Sequence, residues 1–212
     1  SAYRPQTRKS GNLPNISFIL RKPEPLGTEL KTVASMESNG PIVYAEIQEG
    51  KHNMSRKPFF STYGATTSCV IRLVKGTKDC GQKPDPMCTN LFYGDSWFAS
   101  LKGAVACKEE LGVEFLGPIK NSHKNFPRTY LENTMKDFPP GTHMVLQTTL
   151  RGNLYYAVGY KYNMKKTICF VATELAGHTG DGTPYEAKWM DENGRMAARF
   201  IKRPHMLSEY FK

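Results

Sequence analysis

At 212 residues, 39% hydrophobic and 23% charged, the chain has the composition of a folded protein and not of a disordered or low-complexity tail. Its 29 Lys and Arg against 19 Asp and Glu give a formal net charge of +10, which favours a polyanionic partner such as DNA through release of condensed counterions. No apolar stretch approaches the ~20 residues that a membrane-spanning helix needs, so no membrane partner is expected.

Residues 1–25 read as a basic, proline-punctuated extended arm. Arg4, Arg8, Lys9, Arg21 and Lys22 surround the short apolar run Ile16-Ser17-Phe18-Ile19-Leu20, and the arm is expected to be loosely held and frayed at its start. Residues 29–36 and 42–49 alternate well enough for two strands, turned by Ser38-Asn39-Gly40-Pro41, whose Asn-Gly pair is a hairpin signal. Residues 61–76 fit one helix: Ala65, Cys69, Val70, Leu73 and Val74 recur at three- and four-residue spacings, and Gly76 is placed to stop it. The stretch 78–89, with Gly81, Pro84 and Pro86, reads as a loop.

Strand 91–94 comes next and delivers Asp95. Residues 100–111 make an amphipathic helix through Leu101, Ala104, Val105 and Leu111, closed by Gly112, and residues 113–117 are the next strand. Strands alternating with helices argue for a mixed α/β sheet. Beyond a basic turn the character changes. Residues 142–147, 154–162 and 167–173 are short alternating or apolar runs, separated by Arg151-Gly152-Asn153 and Asn163-Met164-Lys165-Lys166, and they resemble a β-meander more than further α/β core. Residues 185–190 and 196–201 flank Asp191-Glu192-Asn193-Gly194 as a second hairpin. The five cysteines, Cys69, Cys80, Cys88, Cys107 and Cys169, are odd in number and form no CxxC pair, which fits free thiols in a reducing compartment.

The densest signal is Gly94-Asp95-Ser96-Trp97-Phe98-Ala99-Ser100, where a carboxylate stands at the end of an apolar strand. Open α/β sheets put their chemistry at such carboxyl edges, and Asp95 is a candidate metal ligand there. The competing reading is that Asp95, or Ser96 after it, caps the following helix by accepting backbone N–H bonds. Trp97 and Phe98 read as packing beneath the site, with DNA stacking as the alternative. Lys120, His123 and Lys124 form a basic turn after strand 113–117, suited either to phosphate contacts or to solvent. Glu46 reads as an edge or surface glutamate. Neither a Gly-x-Ser-x-Gly elbow nor a Gly-rich phosphate loop occurs, so enzyme classes outside nucleic-acid chemistry find no support.

The heptapeptide resembles the Asp-Asn/Ser-Trp-Phe-x-Ser block around the second catalytic aspartate of piggyBac-type DDE transposases. Leu26-Gly27-Thr28-Glu29-Leu30-Lys31, followed by Ile42-Val43-Tyr44-Ala45-Glu46-Ile47-Gln48-Glu49-Gly50-Lys51, is similar to the family's paired strands. The run from Leu116 to Pro127 is similar to its strand and basic turn. The opening Ser1-Ala2-Tyr3-Arg4-Pro5 resembles the stretch immediately after the family's first aspartate block, and the run from Arg203 to Phe211 resembles the approach to its third aspartate.

The resemblance implies an α/β, RNase H-like mixed sheet with flanking helices and a β-rich insertion. Its parts would be an arm at 1–25, a partial core at 26–130, the insertion at 131–202 and the start of a returning helix at 203–212. It implies an intact nuclear parent, with a homodimer among its forms, that cleaves and joins DNA with Mg²⁺ or Mn²⁺ held by three carboxylates, two metals sharing the activation of attacking and leaving oxygens. Asp95 would be the one catalytic and metal-binding acid within this chain. The chain alone would then bind metal weakly and not turn over. By the same resemblance Lys120, His123 and Lys124 contact DNA phosphates, with Arg4, Arg8 and Lys9 as a second patch. The alternative is a domesticated transposase-derived module that binds DNA or protein without catalysis.

Overall fold

The computed structural model describes residues 15–20, 23, 25–36, 40–79, 90–123, 125–174, 177, 180–190 and 193–211. They fall in two compact units, Ser1–Met87 and Cys88–Lys212. Arg4, Arg8, Lys9 and Lys124 lie outside the described residues, as do positions 37–39 of the first expected turn, most of the 78–89 loop, and Asp191 and Glu192 of the second turn.

In the first unit, β1 (Ile16–Phe18) pairs antiparallel with β2 (Leu26–Thr28), so the apolar run inside the expected arm is a strand held by cross-strand bonds. β3 (Leu30–Ala34) and β4 (Ile42–Ile47) form an antiparallel hairpin in the register Lys31↔Glu46 and Val33↔Tyr44. Because side chains alternate across a strand, Val33 and Glu46 turn inward while Leu30, Thr32, Ala45 and Ile47 face out. Three helices complete the unit: α1 (Gly50–Arg56), α2 (Phe60–Tyr63) and α3 (Ala65–Asp79).

The single helix expected over 61–76 is therefore two, parted at Gly64 with φ 79°. Gly76 does not end it. The helix passes through Gly76 because the Tyr44 ring lies against it: a Cβ there would stand 2.3 Å from Tyr44 Cζ. Glu46 is also corrected, from a surface residue to a buried one. Arg72 on α3 donates from Nε to Oε2 at 2.7 Å and from Nη2 to Oε1 at 2.9 Å, and its Nη1 donates to the Pro58 carbonyl at 3.0 Å. A bidentate guanidinium lets a carboxylate tolerate the interior.

The second unit is built on one five-stranded sheet. Its elements in order are β5 (Leu91–Tyr93), α4 (Leu101–Leu111), β6 (Glu114–Pro118), α5 (Arg128–Thr134), β7 (His143–Leu150), β8 (Asn153–Asn163) and β9 (Lys166–Thr173). After these come the hairpin β10 (Tyr185–Met190) and β11 (Met196–Ile201), which pairs only with itself among the described residues, and α6 (His205–Tyr210). Spatial order is β5-β6-β9-β8-β7, with β5 and β6 parallel and the other neighbours antiparallel. The structure is thus mixed α/β with helices flanking the sheet.

Leu116, Val158, Tyr160, Phe170 and Ala172 form one core face, covered by Met206 and Leu207 of α6. On the opposite face, α5 brings Leu131 and Met135 to Gly159, where a Cβ would stand 2.7 Å from the Met135 sulfur. α4 lies along β6 and β9 through its buried small residues Gly103, Ala104, Ala106 and Cys107. β6 is buried along nearly its whole length because helices cover both faces and strands flank both edges.

The RNase H-like reading expects Asp95 at the carboxyl end of a central strand, with residues 29–36 and 42–49 in the same sheet, and neither is found. Among the described residues β5 is an outer strand, not a central one, and β3 and β4 hydrogen-bond to each other in a sheet of their own without joining β5. The meander β7–β9, expected apart from the α/β core, continues it: β9 pairs directly with β6 through Leu116↔Ala172 and Pro118↔Phe170. Among the described residues no helix is long and apolar enough to cross a membrane.

Candidate metal and nucleic-acid site

Asp95 stands two residues beyond β5, past the bond from the Gly94 N–H to the Leu116 carbonyl at 2.9 Å. The chain then closes a tight turn. The Asp95 carbonyl accepts from the N–H groups of Phe98 (3.0 Å) and Ala99 (2.9 Å), while carboxylate Oδ1 accepts from the Trp97 N–H at 2.6 Å and the Phe98 N–H at 3.3 Å. Asp95 is exposed, and among the described residues only Oδ1 is engaged. The reading that Asp95 or Ser96 caps the following helix is therefore corrected. Asp95 caps the 95–99 turn, whereas α4 is capped by Ser100, whose Oγ accepts from the Gly103 N–H at 2.9 Å. Trp97 and Phe98 are half-buried and meet edge to face with centroids 4.8 Å apart.

The sheet register brings further residues to the Asp95 end. β5 runs parallel to β6, and β9 and β8 run antiparallel in turn. Lys120 after β6, the Lys165-Lys166 turn between β8 and β9, and His143 at the start of β7 therefore all lie at the same end of the sheet as Asp95. Lys120, Lys165 and Lys166 are exposed. His123 is half-buried, its N–H donating to the Lys120 carbonyl at 3.3 Å. Arg128, at the start of α5, holds this turn by donating from Nη1 to the Ile119 carbonyl at 2.5 Å, and it pairs with Glu132 at 2.7 Å.

α6 reaches the same place. Tyr210 lies 6.3 Å from Tyr93, ring to ring, and 5.4 Å from Phe170. Burial raises the pKa of the Tyr210 phenol and the Asp95 charge raises it further; burial and then Glu209 do the same for Tyr93. Among the described residues no three of His, Cys, Asp and Glu gather as ligands; the charges of Asp95 and Glu209 act on the Tyr210 and Tyr93 phenols, respectively, at this end of the sheet.

Family models, characterised proteins and solved structures were each compared with the chain, and none matches.

The expected site residues thus divide two ways, and three further basic residues join the first group. Asp95, Lys120 and His123 share one end of one sheet. Lys124, Arg4, Arg8 and Lys9 fall outside the described residues. Lys165, Lys166 and Arg128 were missed. Lys165 and Lys166 stood in the sequence only as a break between two strands, and pairing across β8, β9 and β6 is what brings them alongside Lys120. For α5, Pro127 before a Leu131/Met135 pair at helical spacing was a usable signal.

Proposed function

We propose that the chain is a piece of a piggyBac-type DDE transposase catalytic region, with Asp95 as one of three metal-binding acids of a DNA-cleaving parent and Lys120, His123 and Lys124 as phosphate contacts. The observation that carries this reading is the meeting of α6 with the Asp95 strand end. The segment resembling the approach to the family's third aspartate is also the one whose last residues, Tyr210 and Phe211, pack beside Tyr93 and Phe170. An acid shortly after that segment would come within reach of Asp95. Against the RNase H-like part of the resemblance stands the hairpin β3–β4, which that fold would place in one sheet with β5 and which forms a sheet of its own. Mg²⁺ or Mn²⁺ would supply charge stabilisation of the attacking and leaving oxygens. A nuclear location and a homodimeric parent belong to the same proposal.

The test is gel-resolved cleavage of DNA by this chain and by a version extended at both ends, each with and without Asp95→Ala. The expected result is metal-dependent cleavage by the extended protein only, abolished by Asp95→Ala. Cleavage that survives Asp95→Ala in the extended protein would overturn the reading. A second reading, a domesticated module that binds DNA or protein without catalysis, is favoured by the commitment of Asp95 Oδ1 to the turn. It predicts DNA binding that is indifferent to Mg²⁺ and no cleavage by either form.

A further inference from the structure

Five aromatic rings and two cations form a continuous strip across the Asp95 end of the second unit. It starts at Tyr93, beside Asp95, and passes to Tyr210, whose ring meets Phe211 edge-on at 5.1 Å. The Arg203 guanidinium lies 4.9 Å from the Phe211 centroid and 4.5 Å from that of Tyr185. Tyr185 stacks on Tyr162 at 6.3 Å and 25°, and Lys166 Nζ stands 6.0 Å over the Tyr162 ring. The strip therefore runs from the strand of the candidate acid to the basic β8–β9 turn, with contributions from α6, the segment after β11, β10 and β8.

Tyr93, Tyr162 and Tyr210 rest on the core that Val158 and Phe170 form, and the strip is the solvent-facing rim of that core. Tyr162, Tyr185, Arg203 and Tyr210 are only half-buried, while Phe211 and Lys166 are exposed. The Arg203 guanidinium lies against two rings and hydrogen-bonds the Tyr160 phenol, so ring contacts and that bond together hold it, while its Nε is buried with no hydrogen-bond partner. A site that only tracked the phosphates of a duplex would need the cations without the rings. Flat π-surfaces spaced by cations suit unstacked bases, which bury one face on a ring while their phosphates meet Lys or Arg.

We propose that this strip binds single-stranded DNA, with bases stacking on Tyr162, Tyr185 and Phe211 and phosphates meeting Lys166 and Lys120, so that an unpaired strand is led to Asp95. The proposal rests on the DNA-directed reading above and adds to it the form of the substrate.

Fluorescence anisotropy with the full chain tests it, using labelled oligo-dT of about 15 nucleotides and a duplex of the same length. Tyr162→Leu and Tyr185→Leu, which keep apolar bulk and remove the ring, should each weaken oligo-dT binding about fivefold or more while changing duplex binding less than about twofold. Tyr185→Phe should retain binding. Photocrosslinking of bromodeoxyuridine-containing oligo-dT to the wild-type chain needs no variant and should map to the strip. Oligo-dT affinity that is indifferent to both Leu variants, with crosslinks elsewhere, would overturn the strip while duplex binding upheld the DNA reading. Tighter binding of oligo-U than of oligo-dT would also overturn it, in favour of RNA. Failure of the wild-type chain to bind either DNA probe would overturn both readings.

Discussion

A Cβ on Gly117 would lie 2.6 Å from the carbonyl oxygen of Gly94 and 2.7 Å from Cβ of Ala99, so β6 carries a glycine where the Asp95 turn rests on it. The atom in the way is backbone, which cannot swing aside as a side chain can. Gly117→Ala should therefore cost about 1–3 kcal/mol in urea denaturation, the range for overpacking, and shift the Trp97 and Phe98 amide resonances as the turn lifts.

The two caps near the site can be separated by substitution. Ser100→Ala should cost about 1 kcal/mol, the usual loss for an N-cap acceptor on a helix. Asp95→Asn should cost only a few tenths, because Asn caps about as well as Asp. In the extended protein, however, the same Asp95→Asn change should eliminate metal-dependent cleavage. Thermal melts and the cleavage gel, run side by side, distinguish capping from chemistry.

The Glu46–Arg72 pair predicts an acid sensitivity of the first unit. Burial alone would raise the Glu46 carboxyl, but the Arg72 hydrogen bonds and charge, aided by Lys57, hold it below its ordinary value of 4.5. A lowered folded pKa means that the unfolded chain takes the proton more readily. The stabilisation is thus fully present above the ordinary value and is lost as pH falls through the folded one. Glu46→Gln should destabilise by about 3 kcal/mol at neutral pH, since Arg72 is left without its counter-charge, and should flatten the loss of stability below about pH 4.5. Urea titrations from pH 3 to 7 would show both effects.

Three thiols should be silent in the native protein. Cys69, Cys107 and Cys169 are buried and free, and burial pushes them up to about 12, about 12 and about 11, with the Glu46 charge adding to the effect at Cys69. A thiol reagent at pH 8 should modify none of the three until denaturant is added; peptide mapping of the labelled protein reads this directly. Rapid labelling of Cys107 in the native state would contradict the packing of α4 on the sheet.

On the DNA-directed proposal, duplex binding should be weak, salt-sensitive and nearly indifferent to sequence, because contacts from Lys120 and its neighbours would reach phosphates and not base edges. Replacing Lys120 and Lys124 with Ala should lower affinity and reduce the salt slope by up to about two, near one per lost phosphate contact. Anisotropy titrations at several salt concentrations test this, and an unchanged slope would remove both residues from the interface.

Local periodicity was enough to define elements wherever the chain repeats a simple pattern. The helix from Leu101, ended by Gly112 at φ 61°, the strands β5 to β9 and both strands of the β10–β11 hairpin could be read from spacing and turn residues. These depend on interactions a few residues apart, which the order of residues encodes directly. What spacing could not encode was which strands meet. That β9 lies against β6, that β3 and β4 pair apart from β5, and that β5 is an outer strand are all choices among long-range ladders. They are decided by which apolar faces can be buried together. The same holds for Glu46, which looks like a surface residue until Arg72 arrives from 26 positions away, and for Gly76, a helix stop on paper that is a seat for Tyr44. At the candidate site the sequence alone singled out Asp95 and the basic turn at Lys120. Only the tertiary structure brought Lys166, Arg203, Tyr185 and Tyr210 to their end of the sheet, because strand register and the docking of α6 are properties of the packed core and not of any local run of residues.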